Sequence, residues 1–133
     1  METLSFSTQI KLILADDNLD LAIITTLLLK RHGFEVVTCS NGKECIHLAI
    51  EAMPDLILMD LDMPVMDGIT ACKYIRQQSW GHQIPIIALT GNEQGLPKNW
   101  LKEAGFDFLL LKPAYFNDLT LAITKTIQQK KSI

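Results

Sequence analysis

Leu56-Ile57-Leu58-Met59-Asp60 is an apolar run that stops at a carboxylate, and Leu61-Asp62-Met63-Pro64 follows it. A short, continuous apolar run reads as a strand buried on both faces. A charge at the C-terminal end of such a strand is costly unless something pairs with it. A second run, Ile10-Lys11-Leu12-Ile13-Leu14-Ala15, ends in Asp16-Asp17. If the two strands are neighbours, three carboxylates crowd one sheet edge. Such a cluster needs a cation, or it stays partly protonated.

Working outward, strand and helix alternate along the chain. Asn18 caps a helix that runs to about Arg31, where Gly33 stops it. Phe34 to Cys39 is a strand with β-branched Val36, Val37 and Thr38. Ser40-Asn41-Gly42 is a turn, and Lys43 to Ala52 a helix. Pro54 opens the strand that ends at Asp60, and Asp67 caps a helix ending near Gln78. Pro85 opens Ile86-Ile87-Ala88-Leu89, Pro97 starts a short helix closed by Gly105, and Phe106 to Leu111 is the last strand. A final helix runs from about Tyr115 to Gln129.

Continuous apolar strands alternating with helices imply an α/β fold, with a parallel sheet covered on both faces. Right-handed crossovers make it a doubly wound three-layer sandwich. The flavodoxin-like strand order 2-1-3-4-5 places the ligand crevice between strands one and three, at their C-terminal ends. Those are the ends that carry Asp16, Asp17 and Asp60. The 133 residues suit a single domain, 1–133, with a core from about 10 to 129.

Composition narrows the function. With 48% hydrophobic and 20% charged residues, a packed core is within reach. A net charge of −3 without a Lys/Arg stripe argues against a nucleic-acid surface. Lys125 with Lys130-Lys131 reads as a solvated helix terminus. No apolar stretch is long enough for membrane insertion, and residues 1–9 lack the pattern of a signal peptide. Cys39, Cys45 and Cys72 show no metal spacing, and reduced thiols in a cytoplasmic location are expected. His32, His47 and His82 stand singly and are not expected to bind metal.

Two further strand ends point at the same crevice: Thr90, in Ala88-Leu89-Thr90-Gly91-Asn92, and Lys112, in Leu110-Leu111-Lys112-Pro113. Acids without a cysteine or histidine ligand favour a hard cation, Mg²⁺ before zinc or copper. Asp17 and Asp60 are expected as direct ligands, Asp16 through water, and Asp62 through its backbone carbonyl. A lysine and a hydroxyl complete a site for a phosphoryl group. Asp60 would be the nucleophile of an aspartyl-phosphate, with Lys112 neutralising the phosphoryl oxygens and Thr90 donating to one of them.

Asp16-Asp17, the strand ending at Asp60 with Met63-Pro64-Val65-Met66-Asp67-Gly68 after it, Thr90, and Lys112-Pro113 resemble the receiver domain of two-component response regulators. The likeness covers about Ile10 to Ile127, and the stretches around Asp60 and Thr90 are most similar to receivers of hybrid sensor kinases. The resemblance implies a phosphorelay module. Asp60 would take a phosphoryl group from the phosphohistidine of a sensor histidine kinase or a histidine phosphotransfer domain, with Mg²⁺, and switch the binding of a downstream protein. Catalysis would be limited to its own phosphorylation and slow dephosphorylation. It also implies a Lys112-Pro113 peptide that is commonly cis. Asp62 and Asn92 lie where receivers tune water access, and this polar pair implies hydrolysis that is not strongly blocked.

The chain departs from that pattern at Leu109, where most receivers carry Tyr or Phe; Phe108 lies one place earlier and faces the other way on a strand. Coupling from Thr90 to the strand-five surface is therefore expected to be weak. On the first helix, Leu21, Ile24 and Leu28 form a stripe suited to the core. Leu19, Ile23 and Leu27 form a second one, expected to be partly exposed and to dock the donor. Two other readings stay open: a pseudo-receiver that binds proteins without being phosphorylated, and a haloacid-dehalogenase-like phosphatase, whose strand-Asp-x-Asp motif resembles Asp60-Leu61-Asp62.

Overall fold

The computed structural model describes residues 9–112 and 116–131. Its elements are β1 (Lys11–Ala15), α1 (Leu19–Arg31), β2 (Glu35–Cys39), α2 (Gly42–Ala52), β3 (Leu56–Asp60), α3 (Gly68–Arg76), β4 (Ile86–Thr90), α4 (Trp100–Ala104), β5 (Phe108–Leu111) and α5 (Phe116–Lys131). The strands form one parallel sheet in the order β2-β1-β3-β4-β5. The expected doubly wound sandwich is therefore present. The Lys112-Pro113 peptide lies outside the described residues.

Local chemistry sets the helix starts. Asn18, Asn41 and Asp67 accept, through their side chains, the backbone N–H of Leu21, Glu44 and Thr70 at 3.1, 2.9 and 2.7 Å. Each bond satisfies a donor that the first turn would otherwise leave unpaired. At α4 the residue in that position, Asn99, makes no side-chain cap bond, and the helix spans only five residues.

Strand side chains alternate between two cores. Ile13, Ile57, Met59, Ile86 and Ala88 pack with α2, α3 and α4. Leu12, Leu14, Leu56, Leu58, Ile87 and Leu89 pack with α1 and α5. β1, β3 and β4, in the middle of the sheet, are covered on both sides, so a fully buried aliphatic there contributes about 1.5–3 kcal/mol. Their C-terminal ends become the floor of a crevice.

The structure corrects the sequence reading of α1. Ala22 and Leu29 are the residues that bury, with Leu21, Thr25 and Thr26 half-buried. Ile24 and Leu28, expected in the core, are exposed, as are Leu19, Ile23 and Leu27. Apolar residues cover more than half of the helix circumference, so periodicity alone could not say which half faces inward. Small Ala22 and the adjacent threonines let the helix lie close to the sheet. The hydroxyl of Thr26 is enclosed without a hydrogen-bond partner.

Candidate functional site

The C-terminal ends of β1, β3 and β5 bring Asp16, Asp17, Asp60 and Lys112 together. Asp16 follows β1, and its backbone N–H donates to the Cys39 carbonyl at 3.0 Å, which pins it to the end of β2. Its Oδ1 accepts the Asn18 N–H at 2.9 Å, turning the carboxylate inward at the start of α1. Asp60 closes β3 and is only 5% exposed. Asp17, by contrast, is exposed at the rim. One carboxylate oxygen from each of Asp16, Asp17 and Asp60 lies within 4.8 Å of the others.

Lys112, just past β5, reaches into this group. Its Nζ lies 3.2 Å from Asp16 Oδ2 and 3.2 Å from Asp60 Oδ2. One ammonium thus bridges two buried acids, while a third acid stands beside them. Burial pushes the Asp60 carboxyl from its ordinary 3.8 to about 6. Lys112 opposes that shift, and Asp16 adds to it. Burial pulls the Lys112 ammonium down, but Asp60 and Asp16 outweigh this and hold its pKa above the ordinary value. The site is therefore short of positive charge.

The loop after β3 is held by tight backbone approaches. Gly68 N–H donates to the Leu61 carbonyl at 3.0 Å, and Gly42 N–H to the Met66 carbonyl at 2.8 Å. A side chain at Gly68 would collide with the Asp60 carbonyl oxygen. Within this loop Val65 adopts φ +67° and is 79% exposed, and the Met66 N–H closes on the Pro64 carbonyl at 2.7 Å. A β-branched residue in that region is strained. Its residue type gave no sign of this in the sequence.

Thr90 ends β4 and is buried, but its hydroxyl turns into its own loop. It donates to the Asn92 carbonyl at 3.0 Å and accepts the Asn92 N–H at 3.2 Å. It lines a cleft of about 420 Å³ together with Leu61, Asp62, Asp67, Asn92 and Leu96. The Asp62 N–H points back at Asp60 Oδ1, at a long 3.4 Å. On β5, Phe108 is exposed, whereas Leu109 packs toward the core that holds Trp100 and Phe106.

The family model described as the response regulator receiver domain matches residues 12–124. The chain belongs to that family. This receiver domain is 35% identical over 103 residues to the alkaline phosphatase synthesis transcriptional regulatory protein PhoP of Bacillus subtilis, covering 77% of this chain and 42% of that protein. It is 38% identical over 128 residues to hybrid signal transduction histidine kinase M of Dictyostelium discoideum, covering 90% of this chain and 5% of that one. The chain thus spans less than half the length of either relative. Among solved structures, the receiver domain of a sensor histidine kinase from Pseudomonas aeruginosa, with a magnesium ion coordinated in its active-site cleft, aligns with a TM-score of 0.84 and 30% identity. That alignment covers 91% of this chain and 99% of the other. Residues 12–124 thus form a receiver domain of two-component signalling. No helix among the described residues is long and apolar enough to cross a membrane.

Proposed function

We propose that Asp60 is the phosphoacceptor of this receiver and that Lys112 and Thr90 serve the transfer. The observation that carries this reading is Lys112 Nζ at 3.2 Å from both Asp16 and Asp60. A carboxylate oxygen of Asp60 attacks the phosphorus of a phosphohistidine. The P–O bond forms as the P–N bond breaks, and the imidazole leaves with its electron pair. Lys112 is already in place to neutralise the oxygens that gain charge. Thr90 exchanges its bond to the Asn92 carbonyl for one to a phosphoryl oxygen.

The donor set fits Mg²⁺: three carboxylates converge, all donors are hard oxygens, and one ammonium leaves the charge unbalanced. Asp17 and Asp60 would hold the ion directly, Asp16 through water, and Asp62 through its backbone carbonyl. When bound, the ion neutralises phosphoryl charge that Lys112 cannot reach. The phosphoryl donor would be a sensor histidine kinase or a histidine phosphotransfer domain, approaching over Leu19, Ile23 and Leu27, which are exposed beside Asp17. The phosphorylated form would then act on a downstream protein. Its own turnover would be limited to the aspartyl-phosphate. All three cysteines are unbridged, in keeping with a cytoplasmic setting.

Acetyl phosphate with Mg²⁺ tests the assignment. Wild type should gain an acid-stable, hydroxylamine-labile label, and Asp60→Asn should gain none. Label retained in Asp60→Asn would sink the assignment. No label on wild type, with no binding of beryllofluoride, would make this a pseudo-receiver, and steady hydrolysis of a phosphate monoester would make it a phosphatase.

A further inference from the structure

The outer face of α1 carries a pattern that reads the same from both ends. Asp20, Ile23, Ile24, Leu27, Leu28 and Arg31 are all exposed. Their spacing, i, i+3, i+4, i+7, i+8 and i+11, makes one stripe along the helix. An acid opens the stripe, four aliphatic side chains fill it and a base closes it. Reversal about the midpoint between Thr25 and Thr26 exchanges Asp20 with Arg31, Ile23 with Leu28, and Ile24 with Leu27. Neither Asp20 nor Arg31 makes an ion pair with another described residue.

The surface that such a stripe complements is itself, turned antiparallel. A heterologous partner helix has no need of an acid and a base at mirror positions, whereas across a twofold axis these are the positions that meet. We propose that α1 packs antiparallel against α1 of a second copy of this chain, forming a symmetric dimer. Asp20 then faces Arg31 of the partner subunit, twice, and the aliphatic residues fill the seam between. Beside the stripe, a groove of about 210 Å³ between α1 and edge strand β2 offers further apolar surface, lined by Leu19, Ala22 and Thr38 among others. Fully buried on both subunits, Ile23, Ile24, Leu27 and Leu28 together with Asp20 and Arg31 remove at most on the order of 1,000 Å² in total from water, the threshold for a specific interface. The dimer is therefore concentration-dependent. It also covers the face beside Asp17, so it competes with the donor; that consequence, unlike the dimer itself, rests on the reading of α1 as the donor's approach.

Sedimentation equilibrium of the full chain, from about 10 μM to about 1 mM, tests the dimer without any phosphorylation. Wild type should pass from monomer to dimer across this range. Asp20→Arg and Arg31→Asp should each dimerise at least ~10-fold more weakly, because each sets two like-charge contacts across the axis. An equimolar mixture of the two variants should dimerise again, since both contacts then join opposite charges. The proposal is overturned by a wild type that stays monomeric throughout, which would leave the stripe to a different protein. It is equally overturned by dimers that persist in both variants, or by a mixture that stays monomeric. If circular dichroism shows either variant unfolded, Leu27→Gln takes their place: dimerisation should weaken, and an unchanged dimer overturns the proposal.

Discussion

The two ends of the sheet each hold a charge cluster, and they are built on opposite rules. At the C-terminal end, three acids gather at one ammonium, which pairs with two of them. At the N-terminal end, one acid is shared by two cations. Asp107 Oδ2 accepts Arg76 Nη2 at 3.0 Å and the Ile86 N–H at 2.8 Å, and Oδ1 pairs with Lys130 Nζ at 3.1 Å. Arg76 gives its other donors to the carbonyls of Gly105 and Gly81 at 2.7 and 2.9 Å. This second cluster is complete: it fastens α3, the start of β4, the turn before β5 and the end of α5 to one another. The first is incomplete and burial raises the pKa of Asp60. A closed network fixes structure, and one short of charge is ready to take a ligand.

The largest effect on stability should come from breaking the closed cluster. Asp107→Ala leaves two partly buried cations and the Ile86 N–H without their acceptor, and should cost about 3 kcal/mol. Urea denaturation would show this as a lower midpoint, with acetyl phosphate labelling of the folded variant retained. An unchanged midpoint would mean that the Asp107 network holds nothing together.

At the open cluster the same kind of deletion should have the opposite sign. Asp60 has a folded pKa raised to about 6, above its ordinary 3.8. The folded state therefore binds more protons than the unfolded state between these values, so its stability falls as pH rises through them and stays lowered above. Asp60→Asn lacks this penalty and should be more stable than metal-free wild type at neutral pH by roughly 2 kcal/mol, the full value of the shift being reduced by solvent screening at the mouth of the site. The difference should vanish below about pH 4, where both side chains are neutral. Mg²⁺ should narrow it by stabilising wild type alone, with affinity that rises from about pH 5 to about pH 7 as Asp60 gives up its proton. Equal stabilities across this range would contradict the charge imbalance.

Much of this contrast was legible in the chain, but unevenly. The open cluster could be read because each member ends an apolar run, and strand order converts that position into proximity. The closed cluster could not, because Arg76, Asp107 and Lys130 lie in a helix, a turn and a helix end with no shared pattern. Helix starts were legible at Asn18 and Asp67, where a single side chain makes the cap, whereas Asn41, which reads as a turn residue beside Gly42, caps α2 in the same way. The face of α1 was not, since Ile24 and Leu28 suit a core as well as Ile23 and Leu27 do; closeness to the sheet decided for Ala22. Strain at Val65 was equally hidden, because it belongs to a loop path fixed by Gly42 and Gly68.

That strain gives a smaller test of the open end. Asn tolerates positive φ far better than a β-branched residue does. Val65→Asn should therefore raise stability by about 1 kcal/mol, read as a higher thermal midpoint, because the exposed valine side chain has little packing to lose. A lower midpoint would show that the backbone at Val65 relaxes at no cost.

The smallest expected effect concerns how far a change at the open end travels. Thr90 must release the Asn92 carbonyl to reach a phosphoryl oxygen, so the start of the following loop has to move. The next strand has little reason to follow. Leu109 pairs in register with Ala88, two residues before Thr90, and packs toward Trp100 and Phe106. A leucine there has no ring to swing outward and no hydroxyl to exchange partners. Phe108, which does carry a ring, faces away from this core and is already exposed. Amide NMR shifts with and without beryllofluoride and Mg²⁺ should then change strongly at Thr90, Gly91 and Asn92, and weakly from Phe108 to Leu111. Large shifts at Leu109 and along α4 would mean that an aliphatic side chain transmits the movement, and that output leaves through β5 after all.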